Sequence, residues 1–263
     1  MSPSNIKAVI FDIGGVVCRS PLIAIAAYEK EIGLPPNYLN CSIVERGHQG
    51  SWQRFERGEI PLLDFYEAFS RDLSDTHNGN KWYARYCERK GIDCPLLPES
   101  LKVDGRELFG RMMRESKELD THIRDAITHI REAGKHKIIA LTNNYARVDV
   151  PPSELAFLGW EEGGATPEHL TGLFDDFCDS SRFGMRKPEH GFYLLACDRN
   201  GIKPKEAVFL DDIGINLKAA SELGMKTIRV EIGGSLKAVR QLEAIIGINL
   251  TAPGLTMDNP AKL

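Results

Sequence analysis

The sequence predicts an α/β fold, a parallel sheet flanked by helices, with a helical segment inserted after the first strand. Three observations point there. Short apolar runs rich in β-branched residues recur along the chain. Helical patterns lie between them, and the clearest runs end at once in polar residues.

Taken in order, residues 8–11 form the first run and end in Asp12. Residues 18–118 read as mostly helical, with polar interruptions at Pro35-Pro36 and from Asp75 to Asn80. Residues 121–133 carry Ile123, Ile127 and Ile130 at helical spacing, and Gly134 closes the pattern. The run 138–141 is followed by Thr142-Asn143-Asn144. Residues 148–172, rich in Pro, Gly and Glu, read as a long surface loop in which Trp160 is a lid or a packing anchor. A weaker run from Leu173 to Phe177 precedes Asp179. A helix with Phe192, Leu195 and Ala196 is expected over 189–200. The run 207–210 ends in Asp211-Asp212, a helix is expected over 216–223, and 227–230 is the last strand candidate. The expected division is a core of 1–17 and 119–250, a helical cap of 18–118, and an irregular tail of 251–263.

Composition excludes several classes. Lys plus Arg is 33 and Asp plus Glu 37, so a net charge of −4 gives no general drive toward nucleic acid or anionic membranes. No apolar run approaches the ~18 residues of a membrane helix. The six cysteines form no CxxC pair and show no zinc-ligand spacing, which favours reduced thiols.

Polar residues gathered at the carboxyl ends of parallel strands are where such folds build their sites. A carboxylate at Asp12, followed by Gly14-Gly15, is placed to attack phosphorus and give an aspartyl-phosphate. Thr142 and the Asn143 amide are candidates to hold phosphoryl oxygens, and Lys187 to neutralise developing charge. Asp211 and Asp212 would join Asp12 in a carboxylate cluster that needs a cation, and hard oxygen donors beside a phosphate point to Mg²⁺.

In this order, FDIGGVV (11–17), IIALTNN (138–144), GMRKP (184–188) and VFLDD (208–212) with Asn216 resemble the haloacid dehalogenase superfamily. The segments WQRFERGEI, GMRKPEHGFY and FLDDIGINLKAASELGMKTIRV are similar to a narrower branch. That branch holds the N-terminal phosphatase domain of soluble epoxide hydrolase, the N-terminal domain of an acyl-CoA dehydrogenase family protein and some bacterial sugar-phosphate phosphatases. The resemblance implies a Rossmann-like, doubly wound core, with the helical insertion in the place of the family's small cap. It implies Asp12 as nucleophile and Mg²⁺ ligand, and the Gly14 carbonyl and Asp212 as further ligands. Thr142 and Asn143 would bind phosphate, Lys187 would pair with phosphate and Asp12, and Asp211 and Asn216 would support them.

One departure stands out. Most phosphatases of the superfamily carry a second Asp two residues after the nucleophile, where this chain has Gly14. A general acid contributes typically ~10²–10⁴-fold, so its loss weakens catalysis without abolishing it. Three readings follow: a slow or selective phosphatase, a phosphate-binding or regulatory protein without turnover, and, ranked lowest, a dehalogenase. His48 is a weak candidate for a replacement acid. Trp52, Arg54, Phe55 and Arg57 are candidates for substrate contact, set against plain helix packing. Asp175-Asp176-Phe177-Cys178-Asp179 matches a diphosphate-binding DDxxD pattern, and coincidence is the better reading. The expected partners are a small phosphate ester and a second copy of the chain, with no nucleic acid or membrane. Ala261-Lys262-Leu263 resembles a peroxisomal address, so an import receptor joins them if the source is eukaryotic; the cytoplasm is the default location.

Overall fold

The computed structural model describes residues 5–145, 150–161 and 164–251. Ala261, Lys262 and Leu263 lie outside the described residues, as does nearly all of the expected tail. Five strands, β1 (Ala8–Phe11), β2 (Lys137–Thr142), β3 (Asp176–Asp179), β4 (Ala207–Asp211) and β5 (Lys226–Arg229), form one parallel sheet in the order β3-β2-β1-β4-β5. The chain builds outward from β1 through β2 to β3, then returns to the other side of β1 for β4 and β5. The direction therefore reverses between β1 and β4, and a crevice at the carboxyl ends opens at such a reversal. Register aligns Phe11 with both Ala140 and Leu210, so Asp12, Thr142 and Asp211 emerge at that edge.

The strands are buried on both faces, which is why they read as continuous apolar runs. On one face Val9, Phe11, Ile138 and Val208 pack with α7 (Thr121–Ala133) and α13 (Ser235–Ile246). On the other, Ile10, Ile139 and Phe209 pack with α11 (His190–Arg199) and α12 (Gly214–Glu222). The result is a three-layered, doubly wound α/β core. Among the described residues no helix is long and apolar enough to cross a membrane.

Between β1 and β2 the chain forms α1 (Leu22–Glu31), α2 (Tyr38–Glu45), α3 (Ser51–Glu56), α4 (Leu62–Ser74), α5 (Thr76–Lys90) and α6 (Gly105–Glu115). These helices have an apolar cluster of their own, centred on Phe55, Phe65, Phe69 and Phe109. The chain enters and leaves the insert side by side: the Arg19 N–H donates to the Glu118 carbonyl and the Asp120 N–H to the Val17 carbonyl.

Two expectations need correction. Asp75 to Asn80 is not an interruption but the start of α5, because the Asp75 carboxylate accepts from the Asn78 N–H as an N-cap. Residues 148–172 are not simply a surface loop. They contain α8 (Pro152–Leu158) and α9 (Glu168–Thr171), and Leu158 is fully buried in the insert's apolar cluster. Pro at the first helical turn and Gly159 at φ 70° after the last set the ends of α8. Trp160 follows it and packs edge-on to Phe109 at 6.2 Å, as a packing anchor does.

The DDxxD residues are structural. Asp175 accepts from the Ile138 N–H, Asp176 pairs with Arg199 at 2.8 Å, and Asp179 caps α10 (Ser180–Phe183).

Candidate active site

Each charged group of the site is delivered by a strand end or by the turn facing it. Lys187 is fully buried, and its Nζ lies 2.8 Å from Asp12 Oδ1 and 2.7 Å from Asp211 Oδ2. Asp12 Oδ1 also accepts from the Ile13 N–H at 2.7 Å. Among the described residues Oδ2 has no hydrogen-bond partner, so Oδ1 is the oxygen held in place. Asp211 is the most tied-down member. It accepts from Lys187, from the Ile13-like turn donor Ile213 N–H at 2.8 Å, and on both oxygens from Asn216 Nδ2 at 3.1 Å.

Asp212 contrasts with its neighbour. Its Oδ2 lies 3.3 Å from the Ser20 hydroxyl, while its Oδ1 is buried without a partner among the described residues. Its approach explains a glycine. Gly15 has φ 85°, and a Cβ there would lie 2.2 Å from Asp212 Oδ2, so only Gly fits. Gly14 is different: a Cβ would meet only Pro21, at ordinary contact distances from 3.5 Å.

Oxygens of Asp12, Asp211 and Asp212 lie within 4.8 Å of one another. Three carboxylates face one ammonium, an excess of two negative charges in a buried place. Burial pushes the Asp12 carboxyl well above its usual value, and Asp211 and Asp212 add to this against the opposing pull of Lys187. Burial, then Asp211, pushes Asp212 up to about 6, with Lys187 opposing. Burial alone would lower Lys187, but Asp12 and Asp211 outweigh it and keep the ammonium charged. A hard divalent cation fits this donor set. Asp211 is already saturated, so Asp12 and Asp212, with its orphan oxygen, are the carboxylates with capacity left for one.

Asp12, Gly14, Asn143, Lys187, Asp212 and Asn216 line a cavity of about 380 Å³ between the sheet edge and the insert. Thr142 instead lines an adjoining cavity of about 140 Å³ that also reaches Gly14 and Asn143. The Asn143 side chain is engaged with the backbone of Lys187, donating to its carbonyl at 3.1 Å and accepting from its N–H at 2.8 Å. It thus fixes the lysine turn, which sequence reasoning did not foresee.

Other members were missed. Glu56 at the end of α3 is buried and paired with Arg186 at 2.6 Å, which joins insert to core beside Lys187. The Ser180 hydroxyl donates to the Glu56 carbonyl and is itself bonded by the Asn144 N–H at 2.9 Å. Tyr145 stacks on Phe55 at 4.9 Å, a second tie across the cavity. The local signal for Glu56 is its place on a short helix of which Phe55 and Glu56 are both buried; nothing local names a partner 130 residues away.

Residues 6–224 match the haloacid dehalogenase-like hydrolase family. The chain is 31% identical over 247 residues to bifunctional epoxide hydrolase 2 of Sus scrofa, covering 93% of this chain and 40% of that protein. It is 30% identical over 244 residues to acyl-CoA dehydrogenase family member 10 of Mus musculus, covering 93% of this chain and 19% of that one. It thus spans less than half the length of either. A sesquiterpene phosphatase of Aspergillus oryzae is 23% identical over 245 residues, covering 93% of this chain and 98% of that protein. Among solved structures, a haloacid dehalogenase-family enzyme of Bacteroides thetaiotaomicron in its magnesium complex superposes with a TM-score of 0.53 at 20% identity. That likeness covers 87% of this chain and 95% of the other.

Proposed function

The chain belongs to the haloacid dehalogenase-like hydrolases, and from that premise we propose that it hydrolyses phosphate monoesters with Asp12 as nucleophile and Mg²⁺ as cofactor. The observation that carries this is the Asp12 carboxylate at the sheet's reversal point, with one oxygen fixed by Lys187 and Ile13. An oxygen of Asp12 bonds to phosphorus as the bond to the ester oxygen breaks, releasing the alcohol's oxygen with its electron pair. Water then attacks the phosphorus of the aspartyl-phosphate, the bond to Asp12 breaks, and inorganic phosphate leaves. Over the two steps the water's proton ends on the alcohol. Lys187 holds positive charge where the phosphoryl oxygens collect negative charge, and Asp211 and Asn216 keep it there. Asp12, Asp212 and the Gly14 carbonyl would hold the metal, which when bound supplies charge neutralisation at the phosphoryl group.

Gly14 leaves no carboxylic acid two residues from Asp12 to protonate the leaving oxygen. Esters with good leaving groups are therefore turned over best, and alkyl esters slowly. We take the helical insert as a cap that shapes the substrate's alcohol part. Leu22, Ile25, Ile43 and Met112 make its wall apolar, and Val44, Ile213 and Ile215, exposed at 65%, 43% and 58%, line the same cavity. That wall favours an alcohol with an apolar body, and the name of the Aspergillus relative, a sesquiterpene phosphatase, is in keeping with it.

The test is phosphate release from 4-nitrophenyl phosphate, with Mg²⁺ and with EDTA, for wild type and Asp12→Asn. Steady Mg²⁺-dependent turnover that the variant lacks is expected. Turnover equal in both proteins would refute the nucleophile. A phospho-Asp12 that persists by intact mass, with no steady turnover, would favour a binding or regulatory role.

A further inference from the structure

We propose that the Tyr145 hydroxyl gives a proton to the leaving oxygen, the task that Gly14 cannot perform. The proposal rests on the phosphatase reading, because only an ester whose alcohol departs has an oxygen to protonate.

Gly14, Pro21, Asn143 and Tyr145 line both the cavity that holds Asp12 and the adjoining one, so they border the place where the two meet. A Cβ on Gly14 would meet only Pro21 there. The space that an acid at position 14 would enter is therefore space that Tyr145 borders.

The chain holds Tyr145 firmly in that place. It comes three residues after the end of β2. Asn144 before it is tied to the Ser180 hydroxyl through its N–H and its carbonyl, and to Asp179 through its side chain. The Tyr145 ring stacks on Phe55 at 4.9 Å and lies edge-on to Phe109 at 5.2 Å and Trp52 at 5.7 Å. Phenylalanine would serve that packing as well. The hydroxyl has no hydrogen-bond partner among the described residues, yet it is not among the unpartnered polar atoms that are sealed from the cavity, as Arg57 Nη1 is. A half-hidden donor of this kind is unfavourable until something accepts from it, and the leaving oxygen is an acceptor that arrives in this cavity.

The phenol keeps its proton through neutrality. Burial, then the Glu56 carboxylate, raise it far above its usual value, with Arg186 opposing and Asp12 and Asp179 adding to the rise. As the bond from phosphorus to the ester oxygen breaks, the phenol O–H breaks and its proton goes to that oxygen. The tyrosinate then takes a proton from the water that attacks the aspartyl-phosphate, and the phenol is restored. So weak an acid helps basic leaving oxygens most, and helps them less than a carboxylic acid would. Alkyl esters are then slow but not stopped.

The test is kcat/KM with Mg²⁺ for 4-nitrophenyl, phenyl and alkyl phosphates, in wild type, Tyr145→Phe, and the double variant Tyr145→Phe with Gly14→Asp. Tyr145→Phe keeps the ring stack and breaks no hydrogen bond. It should lower the ratio of alkyl to 4-nitrophenyl turnover about tenfold or more, and adding Gly14→Asp should restore that ratio. Wild type alone provides a second check that does not depend on a variant's folding. The solvent deuterium isotope effect on kcat/KM should be larger for the alkyl ester than for 4-nitrophenyl phosphate. An unmoved ratio, an equal loss on every ester (which a purely structural role would give), a ratio that Gly14→Asp does not restore, or equal isotope effects would each overturn the proposal. In all four cases turnover of 4-nitrophenyl phosphate that depends on Asp12 would still stand, whereas its absence from wild type would overturn the phosphatase reading and this proposal together.

Discussion

The two walls of the cavity balance their charges differently. At the sheet edge three carboxylates share one ammonium, whereas at the helical wall the buried Glu56 carboxylate is matched by the Arg186 guanidinium and Arg57 by Glu59. The first wall is short of a cation, and the second is paired charge for charge. The walls also differ in how their groups are held. At the sheet edge Asp211 is fixed by Ile213 and Asn216, neighbours in sequence. Across the cavity, Glu56 depends on Arg186, far along the chain. The proposed chemistry belongs to the first wall and the docking of the insert to the second, so changes on the two sides should fail in different ways.

The largest effect belongs to the sheet edge. Asp12→Asn removes the proposed nucleophile and should lower turnover of 4-nitrophenyl phosphate about 10⁴-fold or more, a barrier increase of at least ~5 kcal/mol. The same change removes one carboxylate from an over-negative cluster, where burial already opposes ionisation. The variant should therefore match or exceed wild type in melting temperature when both are measured in EDTA. Loss of activity together with marked destabilisation would break the distinction between the walls.

The next effect belongs to the helical side. Arg186→Gln leaves the Glu56 carboxylate buried without its cation, which costs about 3–5 kcal/mol. Urea denaturation should show the midpoint falling accordingly. A change below about 0.5 kcal/mol would mean that the ion pair does not tie insert to core, since substitutions with no structural consequence stay within that range.

Much of the sheet-edge wall was legible because its partners sit beside one another in sequence or at the ends of apolar runs. Four strand positions, Asp12, Lys187 and the Asp211-Asp212 pair could each be named from local pattern, whereas the run from Leu173 to Phe177 overlaps β3 only at Asp176 and Phe177, because Asp179 lies inside the strand and not after it. The different fates of Asp211 and Asp212 could not, because adjacent identical residues differ only in what folds against them. Nor could the role of the Asn143 side chain, which bonds the backbone of Lys187 in the lysine turn, be read locally; the expected contact of the Asn143 amide with phosphate is a separate matter. The second wall was mostly illegible: Glu56–Arg186 and the Phe55–Tyr145 stack join residues separated by most of the insert or more. Helix α8 was a readable feature passed over, since Pro152 and Gly159 bracket it while composition alone suggested a loop.

A smaller and opposite effect is expected at Gly14. A Cβ there finds ordinary contact with Pro21, so Gly14→Asp can be accommodated and would place a carboxylic acid two residues after Asp12. Such an acid should speed esters whose leaving oxygen needs a proton. The ratio of alkyl to 4-nitrophenyl phosphate turnover should rise about tenfold or more, roughly 1.4 kcal/mol. An unchanged ratio would show that the missing acid has a replacement elsewhere in the cavity.

The smallest effect is the mirror of the Arg186 substitution. Burial holds the Glu56 carboxyl above its usual value, even though the Arg186 guanidinium pulls it down. The ionised form is thus less favourable in the folded chain than in the unfolded one. Glu56→Gln removes that charge and keeps an acceptor of similar shape for Arg186, so it should change stability by no more than about 1 kcal/mol, against several for Arg186→Gln. The pH dependence has a definite sign. A carboxyl raised on folding contributes stability that is present at low pH and lost as pH rises through its folded value. Wild type should therefore lose ground to Glu56→Gln as pH rises from the ordinary carboxylate range toward neutrality, and the two should converge on acidification. Urea midpoints for both proteins across that range measure the difference. If wild type gained on the variant with rising pH, the attraction to Arg186 would outweigh desolvation, and the helical wall would be held by charge in the way the sheet edge is held around Lys187.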